Sequence, residues 1–283
     1  MISFVILHYK NIDDTLNCIK SIKELDDQDK ISLIIVDNNS LEKEEIKTLK
    51  EYTDDIVLLK DNLGVAKAYN EGAIYAIDKY QPDYVCVMNN DILINQKDFV
   101  KRVEQSYKNN KFDMLGTKII CEGESVNPFP VFDSLEKIKN QIEKNNKLIN
   151  IYSSKLKGNL LELYFKVKYT FKKRPEMLNG EEKKEGCALH GCLIIFSKKY
   201  YKKEKYVMVP DTFLFHEEEF LYFRMKQKKY ISIYDPSLEI IHLEGSAMKQ
   251  KDKNIIDRKL FKLKECNKSL MILKDKLENK EEL

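Results

Sequence analysis

The sequence has no stretch approaching the roughly 18 uninterrupted apolar residues of a membrane span, so no span is expected. It has no Pro/Gly/Ser-rich linker and no internal repeat, which points away from a string of small modules. An excess of charge of one sign is lacking as well. The formal net charge is only +3 although 34% of residues are charged, so neither a nucleic-acid partner nor an acidic shell is indicated. The six cysteines, Cys18, Cys86, Cys121, Cys187, Cys192 and Cys266, contain no Cys-x-x-Cys pairing. Cys18 and Cys86 fall in apolar patterns as small hydrophobes, and a reduced, cytoplasmic compartment is expected. The apolar start from Met1 to Leu7 lacks a basic segment and a small-residue cleavage site, and reads as a first strand rather than a signal peptide. Glycine is sparse where a dinucleotide fold needs it. Only Gly64 and Gly72 stand within residues 62–72, forming neither GxGxxG nor a Walker A loop, which disfavours a dinucleotide oxidoreductase.

What is present is core. With 43% hydrophobic residues, 283 positions suffice for one large domain or two small ones. Apolar runs at 3–7, 31–36, 56–59 and 84–88 alternate with helical patterns. These patterns are Leu16, Ile19, Ile22 and Leu25, then 42–52, Val65–Tyr80 and 98–108, before a strand at Met114–Cys121. The alternation predicts βαβ units, an α/β fold with a mostly parallel sheet flanked by helices. Ligands of such sheets meet the carboxyl ends of the strands. Those ends read His8-Tyr9, Asp37-Asn38-Asn39-Ser40, Asp61-Asn62-Leu63-Gly64 and Asn89-Asn90-Asp91. Further on, a strand is expected at 191–196, a helix at Glu217–Lys228 and a strand at 231–234 closed by Asp235-Pro236.

Residues 134–174 carry eleven Lys/Arg against three acidic residues, a local net of +8, interleaved with apolar positions. They predict a long helical insertion with basic and apolar faces. Its function is either packing as a solvated helix or peripheral contact with an anionic membrane. The tail, 253–283, predicts a Lys-rich amphipathic helix ending in frayed acidic residues.

Four constellations can carry chemistry. Asn89-Asn90-Asp91 ends a buried strand; this is ordinary turn chemistry, and also a rigid place to hold a hard cation beside phosphates. Asp37 suits either an N-cap for the helix after Leu41 or acceptance of the imide N–H of uracil or thymine. Gly64, Ala66 and Ala68 open a helix with small residues, so a phosphate can approach its N-terminus. Glu217, Glu218 and Glu219 follow an aromatic cluster at a helix start. They serve either the helix dipole or, through one or two of them, a general base. His242 ends a late apolar run, and His8, His190 and His216 each lie beside one of these segments.

Together these segments resemble the family 2 glycosyltransferases with the GT-A fold, in particular the rhamnosyltransferase-like branch that builds surface polysaccharides. The matching pieces run from Val5 through His8-Tyr9, Asp37 to Ser40, Asn62 to Asn70, Met88 to Asp91, Gly191-Cys192 and His216 to Glu219, to His242 through Ser246. The resemblance implies a catalytic domain at 1–246, with the insertion 134–185 inside it, and a C-terminal helical segment at 247–283. It further implies that Leu7, His8 and Tyr9 line the base and ribose pocket, that Asp37 and Asn39 contact the nucleotide, and that Asn62, Gly64 and Lys67 lie near ribose and phosphates. Asn89 and Asn90 would adjoin the donor, Asp91 and His242 would hold Mg²⁺ or Mn²⁺, and Glu218 beside Glu217 would be the base. The expected donor is a UDP or dTDP sugar and the expected acceptor a saccharide or lipid-linked saccharide, at the inner face of a plasma membrane. Asn89 replaces the first acid of the DxD motif, and Phe220 replaces the second of the EDxD segment. These departures leave a catalytically impaired sugar-nucleotide-binding protein as the alternative. A sugar nucleotidyltransferase is weaker, because His8-Tyr9-Lys10-Asn11 supplies no Gly-rich phosphate loop.

Overall fold

Strand β1 (Ile2–His8) is buried along its whole length. From it the chain runs through α1 (Ile12–Lys23), β2 (Ile31–Asp37), α2 (Lys43–Lys50), β3 (Ile56–Leu58), α3 (Val65–Tyr80) and β4 (Tyr84–Asn89). Next come β5 (Ile92–Leu93), α4 (Phe99–Asn110), β6 (Met114–Cys121) and β7 (Glu124–Ser125). The insertion forms α5 (Leu135–Tyr152) and α6 (Lys155–Tyr169). After it come β8 (Lys184–Glu185), β9 (Leu193–Ser197), α7 (Lys198–Tyr201), α8 (Glu217–Lys228), β10 (Ser232–His242) and α9 (Ile255–Glu278). The computed structural model describes residues 1–169, 181–243 and 254–283. Positions 170–174 of the insertion, Gly245-Ser246 and the 246/247 boundary lie outside the described residues.

One sheet runs in the order β3-β2-β1-β4-β9-β6-β10-β5, with β7 on β6 and β8 on β10. It is parallel from β3 to β4. Strand β9 then runs antiparallel between β4 and β6, while β10 is parallel to β6. This is the α/β sheet flanked by helices that the alternation predicts, in the GT-A arrangement that the resemblance implies. Side chains alternate across β1: Phe4 and Ile6 join one apolar layer with α1 and α4, and Val5 and Leu7 join the other with α3 and α8. Helix α3 lies close to the sheet because its inner face is Ala66, Ala68, Gly72, Ala73 and Ala76. A Cβ on Gly72 would come within 2.3 Å of Val36 Cγ2 and 2.4 Å of Val5 Cγ1.

Four expectations change. The single long insertion helix is two, broken at Ser153-Ser154, where Ser153 Oγ donates to the Ile149 carbonyl at 2.7 Å. The strand expected from 191 starts at Leu193, after a turn at Gly191-Cys192. Asp235-Pro236 does not end β10, which runs eleven residues and shifts register between Asp235 and Glu239. Asp235 stabilises that bulge by accepting from Ser237 Oγ at 2.7 Å and Ser106 Oγ at 2.8 Å. Finally, the acidic end is docked rather than frayed. Leu283 is buried, Glu282 pairs with Lys228 at 2.6 Å, and Gln227 bonds both Glu281 and Leu283.

Helix α9 rests on α5 and α8 through a third apolar cluster of Ile138, Val209, Phe220, Leu270, Leu273 and Leu283. Phe220 is therefore a docking residue for the C-terminal helix, and its full burial contributes about 1.5–3 kcal/mol. Among the described residues no helix is long and apolar enough to cross a membrane, and all six cysteines are free.

Candidate functional site

The parallel strands end together. His8 pairs in register with Asp37, and Leu7 with Asn89, so the tails of β1, β2 and β4 share one edge of the sheet. Beyond Asn89, Asn90-Asp91 is a two-residue turn into β5, so the turn and the placed carboxylate coexist. The turn is locked from outside. Leu243 N donates to the Asp91 carbonyl at 3.0 Å, and His242 pairs with Ile92 across the ladder. This brings His242 Nε2 to 3.2 Å from Asp91 Oδ1, with Asp91 buried.

A second histidine extends the group. The His190 ring stands edge-on to His242 at 6.0 Å between centroids and to Phe129 at 5.0 Å. Its Nδ1 accepts from Cys192 N at 3.1 Å. Burial, helped by the neighbouring His242, pushes its pKa down to about 4, so it is neutral at physiological pH. The next residue, Gly191, donates its N–H to Glu218 Oε1 at 2.9 Å. Asp91 and Glu218 are thus linked through His242, His190 and Gly191.

Helix α8 presents its three acids differently. Glu219 pairs with His216 Nδ1 at 3.2 Å, and Glu217 accepts from Thr212 Oγ1 at 3.3 Å. Glu218 turns toward Gly191. Burial, then the Glu218 charge, raises the Glu217 pKa; burial, then the Glu219 charge, raises that of Glu218. Burial disfavours charge on His216 too, but its hydrogen bonds to Cys266 and Glu219 prevail and raise its pKa.

On the nucleotide side, Asp37 Oδ1 accepts from Ser40 N at 2.9 Å, Ser40 Oγ at 3.2 Å and Leu41 N at 3.2 Å. It shapes the loop rather than capping α2, whose N-cap is Glu42 in a capping box with Glu45. Asn38 ties two loops together: it donates to Asn62 Oδ1 at 3.0 Å and the Gly64 carbonyl at 3.1 Å, and accepts from Leu63 N at 2.8 Å. Sequence reasoning singled out Asn39 instead, which is exposed with φ 61°. Gly64, at φ 80°, lets Val65 N reach the Phe213 carbonyl at 3.0 Å, so the loop before α8 seats on the start of α3. No side chain caps α3, and Lys67 is exposed in its first turn.

Other expected residues are placed more deeply. His8 is fully buried; its Nδ1 lies 2.6 Å from Thr15 Oγ1, which accepts from Asn90 Nδ2 at 2.9 Å. Burial lowers its pKa against the pull of Asp37 and Glu45, and it reaches the Asn90-Asp91 turn only through Thr15. Leu7 is buried and Tyr9 half-buried. Asn89 Oδ1 accepts from the buried Tyr69 hydroxyl at 2.6 Å, which fixes the amide standing in place of an acid. His190 was legible only as a histidine near a motif; its ring partners Phe129 and His242 come from two distant segments.

Among the described residues no group of three or more His, Cys, Asp or Glu is arranged to hold a metal ion. Asp91 offers a hard oxygen of the kind that suits Mg²⁺ or Mn²⁺, with the softer imidazole nitrogen of His242 beside it; phosphate and water would have to complete the set.

No curated protein sequence matches the chain. Among solved structures, S. aureus TarS 1–349 superposes with a TM-score of 0.52 at 14% identity, covering 86% of this chain and 60% of that one. A longer S. aureus TarS structure gives a TM-score of 0.50 at 14% identity, covering 86% of this chain and 36% of that one. The chain thus spans less than two thirds of the length of either, and the likeness is one of fold. The profile described as Glycosyl transferase family 2 matches residues 3–154, more than half of the sequence. The chain belongs to glycosyl transferase family 2.

Proposed function

We propose that the protein is an inverting glycosyltransferase that moves a sugar from a UDP or dTDP donor to a hydroxyl of a saccharide or lipid-linked saccharide acceptor in surface polysaccharide synthesis. The observation that carries this reading is the path from Asp91 through His242, His190 and Gly191 to Glu218, which joins the Asp91–His242 pair to a half-buried carboxylate. Glu218 would accept the acceptor's hydroxyl proton as that oxygen bonds to the anomeric carbon and the bond to the diphosphate breaks. Its raised pKa suits this task, because a base with an elevated pKa takes a proton more readily near neutrality. The Gly191 N–H holds one carboxylate oxygen in place and leaves the other for the acceptor. The neighbouring charge of Glu219 adds to burial in raising the Glu218 pKa, and Glu217 would stand beside it, held by Thr212.

Asp91 and His242 would hold Mg²⁺ or Mn²⁺, which when bound supplies positive charge to the departing diphosphate. Ala66 and Lys67, in the uncapped first turn of α3, would add backbone N–H groups and an ammonium on the phosphate side. Asp37 and the loop it shapes would face the base, and a carboxylate there favours the imide of uracil or thymine.

The test is a panel of UDP-, dTDP- and GDP-sugars with Mn²⁺, read by thermal shift and by release of nucleoside diphosphate. Wild type is expected to be stabilised by a UDP or dTDP sugar and to turn it over. Glu218→Gln is expected to keep the thermal shift and lose turnover. Binding without turnover in the wild type, with any acceptor, would favour a non-catalytic role.

A further inference from the structure

Helix α6 has two faces with apolar residues, and among the described residues only one of them is covered. On the inner face, Gly158 packs against Ile256 and Tyr152, and Glu162 takes the Tyr152 hydroxyl at 2.5 Å and Lys259 at 2.6 Å. These contacts fix the helix against α5 and α9. On the outer face stand Leu156, 72% exposed, Leu160 and Leu163, both 59%, and Tyr164, 55%. At about 100° per residue these four positions fall within about 100° of arc, a single stripe. Scattered exposed leucines are ordinary on protein surfaces, but four aligned on one helix are not.

The surroundings of the stripe identify what covers it. Lys155 and Lys157 lie on its two sides, both exposed, and Lys144 and Lys147 of the adjoining α5 are exposed as well. Within residues 134–169 basic residues exceed acidic ones by five. A second copy of this chain would bring its own lysines against these, with like charges meeting around a thin apolar contact. An acidic lipid surface meets both features at once: acyl chains take the leucines and headgroup phosphates take the lysines.

We infer that the Leu156–Leu160–Leu163–Tyr164 stripe of α6, flanked by Lys155 and Lys157, is a peripheral binding surface for anionic phospholipid. The helix would lie in the plane of the interface, anchored from behind by Tyr152 and Ile256. This inference does not depend on the proposed transfer reaction, since nothing in it draws on the Asp91–Glu218 site.

Co-sedimentation of the full chain with phosphatidylcholine vesicles, with and without phosphatidylglycerol, tests it at low and high salt. Wild type is expected to sediment only with the anionic vesicles and to be released by high salt. Leu160→Ser/Leu163→Ser and Lys155→Gln/Lys157→Gln should each weaken binding, the lysine pair by about fivefold per residue. All four side chains are exposed, so thermal unfolding of both variants should match wild type and separate lost binding from lost folding. Absence of wild-type sedimentation would overturn the inference, as would equal sedimentation of the variants. So would a dimer detected by light scattering that Leu160→Ser/Leu163→Ser dissociates, with no vesicle binding, which would assign the stripe to a second copy.

Discussion

The backbone N–H of Gly191 donates to Glu218 Oε1 at 2.9 Å, and the glycine leaves no room for anything larger. A Cβ at position 191 would meet that same oxygen at 2.8 Å. The obstacle is the mobile end of a side chain, so Gly191→Ala should fold and displace the carboxylate by a few tenths of an ångström. A small misplacement at a reacting group costs far more in rate than in stability. Gly191→Ala is expected to lower kcat by about tenfold to a hundredfold and stability by less than about 1 kcal/mol. Steady-state kinetics and thermal unfolding of the one variant check both.

Glu217 and Glu218 carry a pH dependence whose sign follows from burial. Both pKa values are raised in the fold, so deprotonation occurs above the ordinary carboxylate range. The acid limb of kcat/KM should therefore have its midpoint above about 4.3, and its apparent value belongs to the pair rather than to either residue. For stability the sense is opposite to that of a salt-bridged carboxylate. The stabilising contribution is present below the unfolded pKa and is lost as pH rises through the folded one. Glu217→Gln is thus expected to raise Tm relative to wild type at neutral and alkaline pH, with the gain vanishing near pH ~4. A pH series of unfolding curves decides it.

Gly64 and Gly186 separate backbone strain from steric closure. Both have positive φ, 80° and 69°, but a Cβ on Gly64 would lie 2.0 Å from the Phe213 carbonyl oxygen, whereas one on Gly186 meets nothing within 4 Å. Gly186→Ala should cost about 1 kcal/mol of left-handed strain alone. Gly64→Ala should cost clearly more and should also weaken nucleotide binding, because the loop leading to α8 must lift off α3. Chemical denaturation of both variants, with and without UDP, reads the difference.

Much of this arrangement was visible in the chain before folding was considered. Val65–Tyr80 was bounded correctly because Gly64 and Pro82 punctuate it, and Glu217–Lys228 because acids and lysines mark its two ends. Local rules misled where tertiary partners overrode them. Asp235-Pro236 looks like a strand terminator, yet the intervening residues are absorbed as a bulge held by Ser106 and Ser237. Asn38 and Asn39 are indistinguishable in sequence, and only the approach of the Asn62–Gly64 loop gives the first a role. His190 had no pattern to reveal it, since Phe129 and His242 converge on it only in space. Phe220 read as a lost acid, although its burial between α5 and α9 gives it work that an aspartate could not do.

Asp91 and His242 make the last prediction. His242 Nε2 lies 3.2 Å from Asp91 Oδ1, and the backbone beside both is locked by the Leu243–Asp91 hydrogen bond. Asp91→Asn keeps the size of the side chain and the turn while removing the charge that a hard cation requires. UDP affinity measured by calorimetry without metal should then be little changed from wild type. With Mn²⁺ present, wild type should bind more tightly and the variant should forgo at least about tenfold of that gain, since even partners one step removed from a metal are worth that much. His242→Gln should lose part of the same gain, because its amide can still orient Asp91 but is a poorer metal ligand. If Mn²⁺ tightens UDP binding equally in wild type and Asp91→Asn, the cation is held by other groups and the pair serves only to fix the turn.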